Sequence, residues 1–168
     1  MKLSILKIFF GIFASVFLSR IIVFKMKNID VCLTPDLLHL HNIDNSIVIV
    51  TDIFRATSCM VTGFAYGVKA IIPVETVEEC QALQAKGFIA AAEPNAQKVE
   101  GFELDNSPFS YMDEKLIGEK IAMTTTNGTY SITKAKSSAV KVLVGAFLNL
   151  NAIVEYLKTQ PYDVLVLC

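Results

Sequence analysis

The sequence predicts an α/β fold: a three-layer α/β/α sandwich around a mostly parallel sheet. Three observations carry that prediction. Short apolar runs rich in Val and Ile recur along the chain, separated by segments with helical spacing. The runs are continuously apolar instead of alternating, as strands covered on both faces require. The links between runs and helices are short, which makes successive strands parallel through βαβ units. No internal repeat or low-complexity linker breaks the pattern, and 168 residues suffice for one domain with a full core.

Residues 1–25 stand apart from that domain, which begins at Met26. Lys2 and Lys7 precede the apolar run Ile8–Leu18, and Arg20 interrupts it. The stretch reads as a signal-like leader without a clear cleavage site, as an anchor continuing to Phe24, or as sequence upstream of a true start at Met26. The third reading is favoured, because the thiol pattern downstream suits the cytosol.

From Ile29 the elements follow in order. Ile29–Leu33 is a short strand, and a polar connection carries Thr34, Pro35, Asp36, His39 and His41. Ile47–Ile53 is the central strand, and Ala56–Tyr66 is a helix with Gly67 at its left-handed C-terminal position. Ala70–Val74 is a strand. Thr76 and Glu79 then form an S/T-x-x-E capping box for a helix with Val77, Cys80 and Leu83 or Gln84 on one face, stopped at Gly87. Phe88–Ala92 is a strand ending at Glu93, followed by a long connection to Asp113. Lys120–Thr126 is a strand, and Asn127-Gly128-Thr129 opens a helix to Ala135. Val140–Ala146 is a strand, Asn149–Thr159 a helix, and Tyr162–Leu167 a strand.

Composition excludes several functions. Net charge is −1 with acids and bases interleaved, which leaves no electrostatic footprint for nucleic acid. Cys32, Cys59, Cys80 and Cys168 form no C-x-x-C pair and sit in or beside apolar segments, so buried reduced thiols in the cytoplasm are expected. P-loop and dinucleotide fingerprints are absent. With His39 and His41 as its only histidines, the chain has no material for a three-His zinc site, and a Ser-His-Asp triad is implausible. The His39-x-His41 pair is read as solvated. There is neither a C-x5-R arrangement nor a second aspartate two residues after Asp52, which disfavours the cysteine-nucleophile and D-x-D phosphatase chemistries.

In a parallel sheet the C-terminal strand ends share one edge, so residues there converge even when distant in sequence. They are Asp52, Arg55, Thr57 and Ser58; then Glu93; then Thr124, Thr125, Thr126, Asn127, Gly128 and Thr129; then Gly145, Ala146 and Asn149. A strand-to-helix turn favours anions, and Arg55 adds a planar charged fork. Asp52 would repel a bare anion, and a bridging divalent cation resolves that conflict. On a second reading, Asp52 and Arg55 pair with each other while Thr57 or Ser58 caps the helix. The inventory as a whole suits an oxyanion and a hard cation held by oxygen.

Four stretches, Asp52-Ile-Phe-Arg-Ala-Thr-Ser58, Gly101-Phe-Glu-Leu-Asp-Asn-Ser-Pro108, Thr124-Thr-Thr-Asn-Gly-Thr129 and Leu143-Val-Gly-Ala-Phe-Leu-Asn149, resemble the successive motifs of the 2-phosphosulfolactate phosphatases in order and spacing. The resemblance implies a three-layer α/β fold and a magnesium-dependent phosphatase. Its reaction takes phosphate from 2-phospho-3-sulfolactate, a step towards coenzyme M; another small phosphorylated hydroxy acid, or a non-catalytic anion-binding remnant, is the alternative. Carried over by position, the implied site comprises Asp52, Arg55, Thr57, Ser58, Asn106, Ser107, Thr125, Thr126, Asn127 and Asn149, and Gly128 and Thr129 join it as substrate-binding residues. In that site Asp52, with Glu93 as helper, is the magnesium ligand. Arg55, Thr57, Ser58 and Asn127–Thr129 hold phosphoryl or sulfonate oxygens. The implied partner is a small phosphorylated sulfonate or carboxylate, and a homodimer is compatible with it. Three departures stand out. Ala92-Glu93-Pro94 replaces Gly-Glu-Arg, Glu103 and Asp105 stand where aspartate and glycine are expected, and the family's glycine-rich acidic segment, expected just after Cys168, marks the domain as truncated relative to the family.

Overall fold

The computed structural model describes residues 27–92 and 99–168. The expectations for residues 1–25 and for Glu93 lie outside these described residues. Strands and helices alternate: β1 (Ile29–Cys32), β2 (Ser46–Thr51), α1 (Ala56–Ala65), β3 (Ala70–Pro73), α2 (Val77–Gln84), β4 (Ile89–Ala92), β5 (Lys120–Thr124), α3 (Gly128–Lys136), β6 (Lys141–Gly145), α4 (Leu150–Lys158) and β7 (Asp163–Leu167). The polar connection after β1 contains a 3-10 helix, Pro35–Leu40, capped by the Thr34 hydroxyl, which accepts from the Asp36 N–H. Its short turn period was not visible as a hydrophobic pattern.

All strand pairs among the described residues are parallel, as predicted, but the strands divide between two sheets. One has the order β1-β7-β2-β6 and the other β3-β5-β4. Three apolar clusters show how they stack. The largest joins Val48, Val50, Leu165 and Leu167 of the first sheet to Ile121, Met123 and Ala91 of the second, through Cys59 and Met60 of α1 and Ile132 and Ala135 of α3. A second packs Cys80 of α2 against Ala90, Ala92 and Ala122 on the outer face of the smaller sheet. A third packs Ile153 of α4 against Ile49 and Val164 on the outer face of the larger sheet. The two α/β/α sandwiches therefore share α1 and α3 as a common middle layer, with α2 and α4 on the outer faces and Ile29 and Val31 of β1 left exposed. Apolar strand runs carry no mark of which neighbours they will pair with, so two sheets look like one in the sequence.

The local devices explain why the elements stop where they do. Between two sheets, α1 buries Ala56–Met60, Thr62 and Gly63, including the hydroxyls of Thr57, Ser58 and Thr62. It ends at Gly67, whose φ of +95° lies in the left-handed region that side chains disfavour. Thr76 and Glu79 close the predicted capping box of α2: the Thr76 hydroxyl accepts from the Glu79 N–H at 3.1 Å, and a Glu79 carboxylate oxygen accepts from the Thr76 N–H at 3.4 Å. All four thiols are free, with Cys32, Cys59 and Cys80 buried and Cys168 exposed. Burial pushes the Cys80 thiol pKa up, opposed by a smaller backbone hydrogen-bond contribution from Ala91. Among the described residues no helix is long and apolar enough to cross a membrane.

Candidate active site

The loops at the C-terminal ends of β2 and β5 approach each other, β2 delivering Asp52 and β5 delivering Thr125. Gly128, the first residue of α3, is the point of contact. A β-carbon built there would lie 2.8 Å from the Ala56 Cβ, 3.1 Å from the Thr125 Oγ1 and 3.5 Å from the Asp52 Oδ2. Only a residue without a side chain lets the N-termini of α1 and α3 approach this closely. Both helices therefore aim their positive ends at one cleft.

Both strand-end loops are held by a threonine at the second position of the following helix. In the first loop the fully buried Thr57 donates its N–H to the Asp52 carbonyl at 2.9 Å, and its hydroxyl accepts from the Asp52 N–H at 3.0 Å. In the second, Thr129 Oγ1 accepts from the Thr125 N–H at 3.2 Å and donates to the Thr125 carbonyl at 2.7 Å, while Thr125 Oγ1 accepts from the Thr129 N–H at 3.2 Å. Ser58 donates its hydroxyl to the Ile53 carbonyl at 2.8 Å. The Thr57, Ser58 and Thr129 hydroxyls thus shape the loops from behind. Thr57→Val keeps the side chain's shape but leaves the Asp52 N–H without its acceptor, an expected loss of about 1–3 kcal/mol. Urea unfolding checks it: a midpoint equal to the wild type's would show that this bond contributes nothing, and Thr57→Ser should recover most of the loss.

Two cavities flank the contact. One, of about 370 Å³, is lined by Asp52, Thr51, Asn127, Tyr130, Thr34 and Asp36 among others. The second, of about 440 Å³, is lined by Glu75, Thr76, Val77, Thr124, Thr125, Thr126, Thr129 and Tyr130. Asp52, Asn127, Thr125, Thr126 and Thr129 of the sequence-derived site are therefore brought together. Arg55 is exposed at the N-cap of α1, after a cis Phe54–Arg55 peptide. Asn106 reaches α1 from the long connection, its Oδ1 accepting from the Cys59 thiol at 3.4 Å. Ser107 follows in a turn where its N–H donates to Asp105 Oδ1 at 2.9 Å. Asn149 lines neither cavity; its Oδ1 accepts from the Ala146 N–H at 2.9 Å and its Nδ2 donates to the Val144 carbonyl at 3.0 Å, which fixes the turn after β6. His39 and His41 have separate partners, the Asp36 carbonyl at 2.8 Å and Asp30 Oδ2 at 3.0 Å.

Thr34, Asp36 and Tyr130 are cavity residues that sequence reasoning missed. The strand-end rule, applied to β1 as it was to β2 and β5, finds the first two. Tyr130 adjoins the Thr124–Thr129 stretch, one residue past its end. Its hydroxyl donates to Asp36 Oδ1 at 3.2 Å, and the Lys134 Nζ stands 4.6 Å over its ring and 3.6 Å from the same carboxylate oxygen. Hydrogen bonding to Tyr130, with Asp36 adding a smaller share, raises the Lys134 pKa above its ordinary value.

The residues suit a magnesium ion. Magnesium takes oxygen ligands and is commonly held by one or two carboxylates, with waters and substrate phosphate completing its shell. The half-buried Asp52 carboxylate, in a cavity with Thr51 and Asn127, is such a donor set. Among the described residues no group of three or more His, Cys, Asp or Glu could form an all-protein metal cage.

Comparison with known proteins places this geometry in a family. The family described as 2-phosphosulpholactate phosphatase matches residues 32–168. A protein of Thermotoga maritima named "Probable 2-phosphosulfolactate phosphatase" is 45% identical over 120 residues, covering 71% of this chain and 52% of the relative. Proteins of the same name from Caldicellulosiruptor saccharolyticus and Clostridium beijerinckii are 40% identical over 124 residues and 36% identical over 143 residues. These alignments cover 71% of this chain and 51% of the first relative, and 83% of this chain and 60% of the second. The chain spans about half the length of the curated relatives it matches. Its match to the family runs from the end of β1 through all the strand ends that build the cleft, and the chain belongs to the 2-phosphosulpholactate phosphatase family.

Proposed function

We propose that this chain carries a magnesium-dependent phosphatase site that hydrolyses 2-phospho-3-sulfolactate to 3-sulfolactate and phosphate, in the cytoplasm. The observation that carries the reading is the convergence at Gly128, where the Asp52 carboxylate meets the N-termini of two helices in one cleft. A lone carboxylate would repel a phosphate monoester, whereas helix ends attract it, so the pair makes sense with a cation between them. Asp52, with Glu93 as the expected second donor, holds magnesium, which when bound neutralises phosphoryl charge and acts as a Lewis acid. The chain's own part is positioning. The Thr57 and Thr129 staples fix both loops before substrate arrives, Asn127 lines the Asp52 cavity, and Arg55, which lines neither cavity, follows directly on its lining residue Phe54. Free, mostly buried thiols support the cytoplasmic assignment.

The test is phosphate release from 2-phospho-3-sulfolactate by the full chain, with magnesium and again with a chelator. Magnesium-dependent release is the expected result. Absence of release from a folded sample would overturn the substrate assignment, and equal release in chelator would overturn the metal.

A further inference from the structure

The two cavities at the sheet junction share one side chain, Tyr130. It is about 40% exposed, tethered at its tip by Asp36, and the Lys134 ammonium stands over one face of its ring. A ring fixed at the tip and on one face cannot swing freely between the cavities. On one side lie the acids Asp52 and Asp36 with Asn127 and Ser131. On the other lie Thr76 and Thr124–Thr126, with the exposed Glu75 as the acid among the described residues that line that cavity. The sides differ in chemistry. The first suits a phosphoryl group whose charge a cation offsets; in the second the Thr124 hydroxyl donates to the Glu75 carbonyl at 3.2 Å, while the Thr76 and Thr125 hydroxyls accept from backbone N–H groups and keep their protons for a second oxyanion.

Resting on the phosphatase reading above, we propose that Tyr130 is a specificity-determining residue. Its ring divides the cleft into a phosphoryl lobe beside Asp52 and a hydroxyl-lined lobe for a second anionic group on the same small molecule. The protein then discriminates against simple phosphate monoesters because they leave the second lobe filled with water. Neither lobe need reject them outright.

The experiment is calorimetric titration of the full chain, in magnesium, with inorganic phosphate and with 2-phospho-3-sulfolactate. Wild type, Tyr130→Phe and Tyr130→Ala are compared. One charged group held by hydrogen bonds corresponds to a preference of about tenfold or more for the two-ended ligand in the wild type. Tyr130→Ala should lose that preference, its affinity for phosphate falling less than its affinity for the two-ended ligand. Tyr130→Phe, which keeps the ring, should retain most of it. In turnover the alanine variant should raise KM with little change in kcat. An unchanged preference in Tyr130→Ala, a wild type with no preference, or a parallel loss for both ligands would overturn the proposal. A wild type that shows the binding pattern but releases no phosphate would sink the hydrolytic reading and leave this one standing.

Discussion

Asp52→Asn should cost turnover a factor of about 10²–10³ or more, the range seen when a group that stabilises transition-state charge is removed. The substitution preserves size and hydrogen-bonding shape and deletes only the charge that holds a cation near the phosphoryl group. The fold should survive it, because the loop is set by backbone bonds: Thr57 N–H to the Asp52 carbonyl at 2.9 Å and Asp52 N–H to the Thr57 hydroxyl at 3.0 Å. Circular dichroism and thermal unfolding should therefore match the wild type, while phosphate release falls and no longer responds to magnesium. Activity within a few fold of the wild type would remove Asp52 from the metal site. A variant that fails to fold would make its charge structural.

Gly128→Ala should have the largest combined effect on stability and activity. The added methyl would stand 2.8 Å from the Ala56 Cβ, closer than such atoms approach, and neither partner can turn away. The helices must part, at an overpacking cost of about 1–3 kcal/mol. Because Asp52 and Thr125 sit on the two loops being separated, turnover should also fall, by up to about 10²-fold for a misplacement near 1 Å. The double variant Ala56→Gly/Gly128→Ala removes the opposing methyl and should unfold at a higher temperature than Gly128→Ala alone. With the wild type and Ala56→Gly alone, these variants complete a double-mutant cycle on one contact. If Gly128→Ala alone unfolds and turns over like the wild type, the two loops are not joined through this glycine.

The sequence disclosed the elements better than their arrangement. Gly67 and the Thr76/Glu79 box announced where helices stop and start because each is a local device, settled within a few residues. Strand-end reasoning found Asp52, Thr125 and Asn127 for a similar reason: a βα turn places its residues at the edge whichever sheet the strand joins. Partition into two sheets depends on which strand lies beside which, and Val48 and Ile121 read alike as apolar strand residues although they sit in different sheets. The roles of the hydroxyls were equally hidden. Thr57 and Thr125 are the same residue type in similar loops, but one is fully buried behind its loop and the other lines a cavity. Tyr130 went unnoticed because an aromatic residue in a first helical turn looks like core until its exposure is known.

The division into two sheets also sets the order in which the molecule can be assembled. The smaller sheet draws all its strands from residues 70–124, whereas the larger one needs β7 to slide between β1 and β2, pairing Ile29 with Val164. Closing that distance costs chain entropy before any contact repays it, so the larger sheet completes late. Asp52 rides on the late sheet and Thr125 on the early one, so the cleft exists only once the slow step is over. In pulsed hydrogen exchange during refolding, the amides of β5 should gain protection before those of β2. Simultaneous protection would mean that both sheets form in a single concerted event.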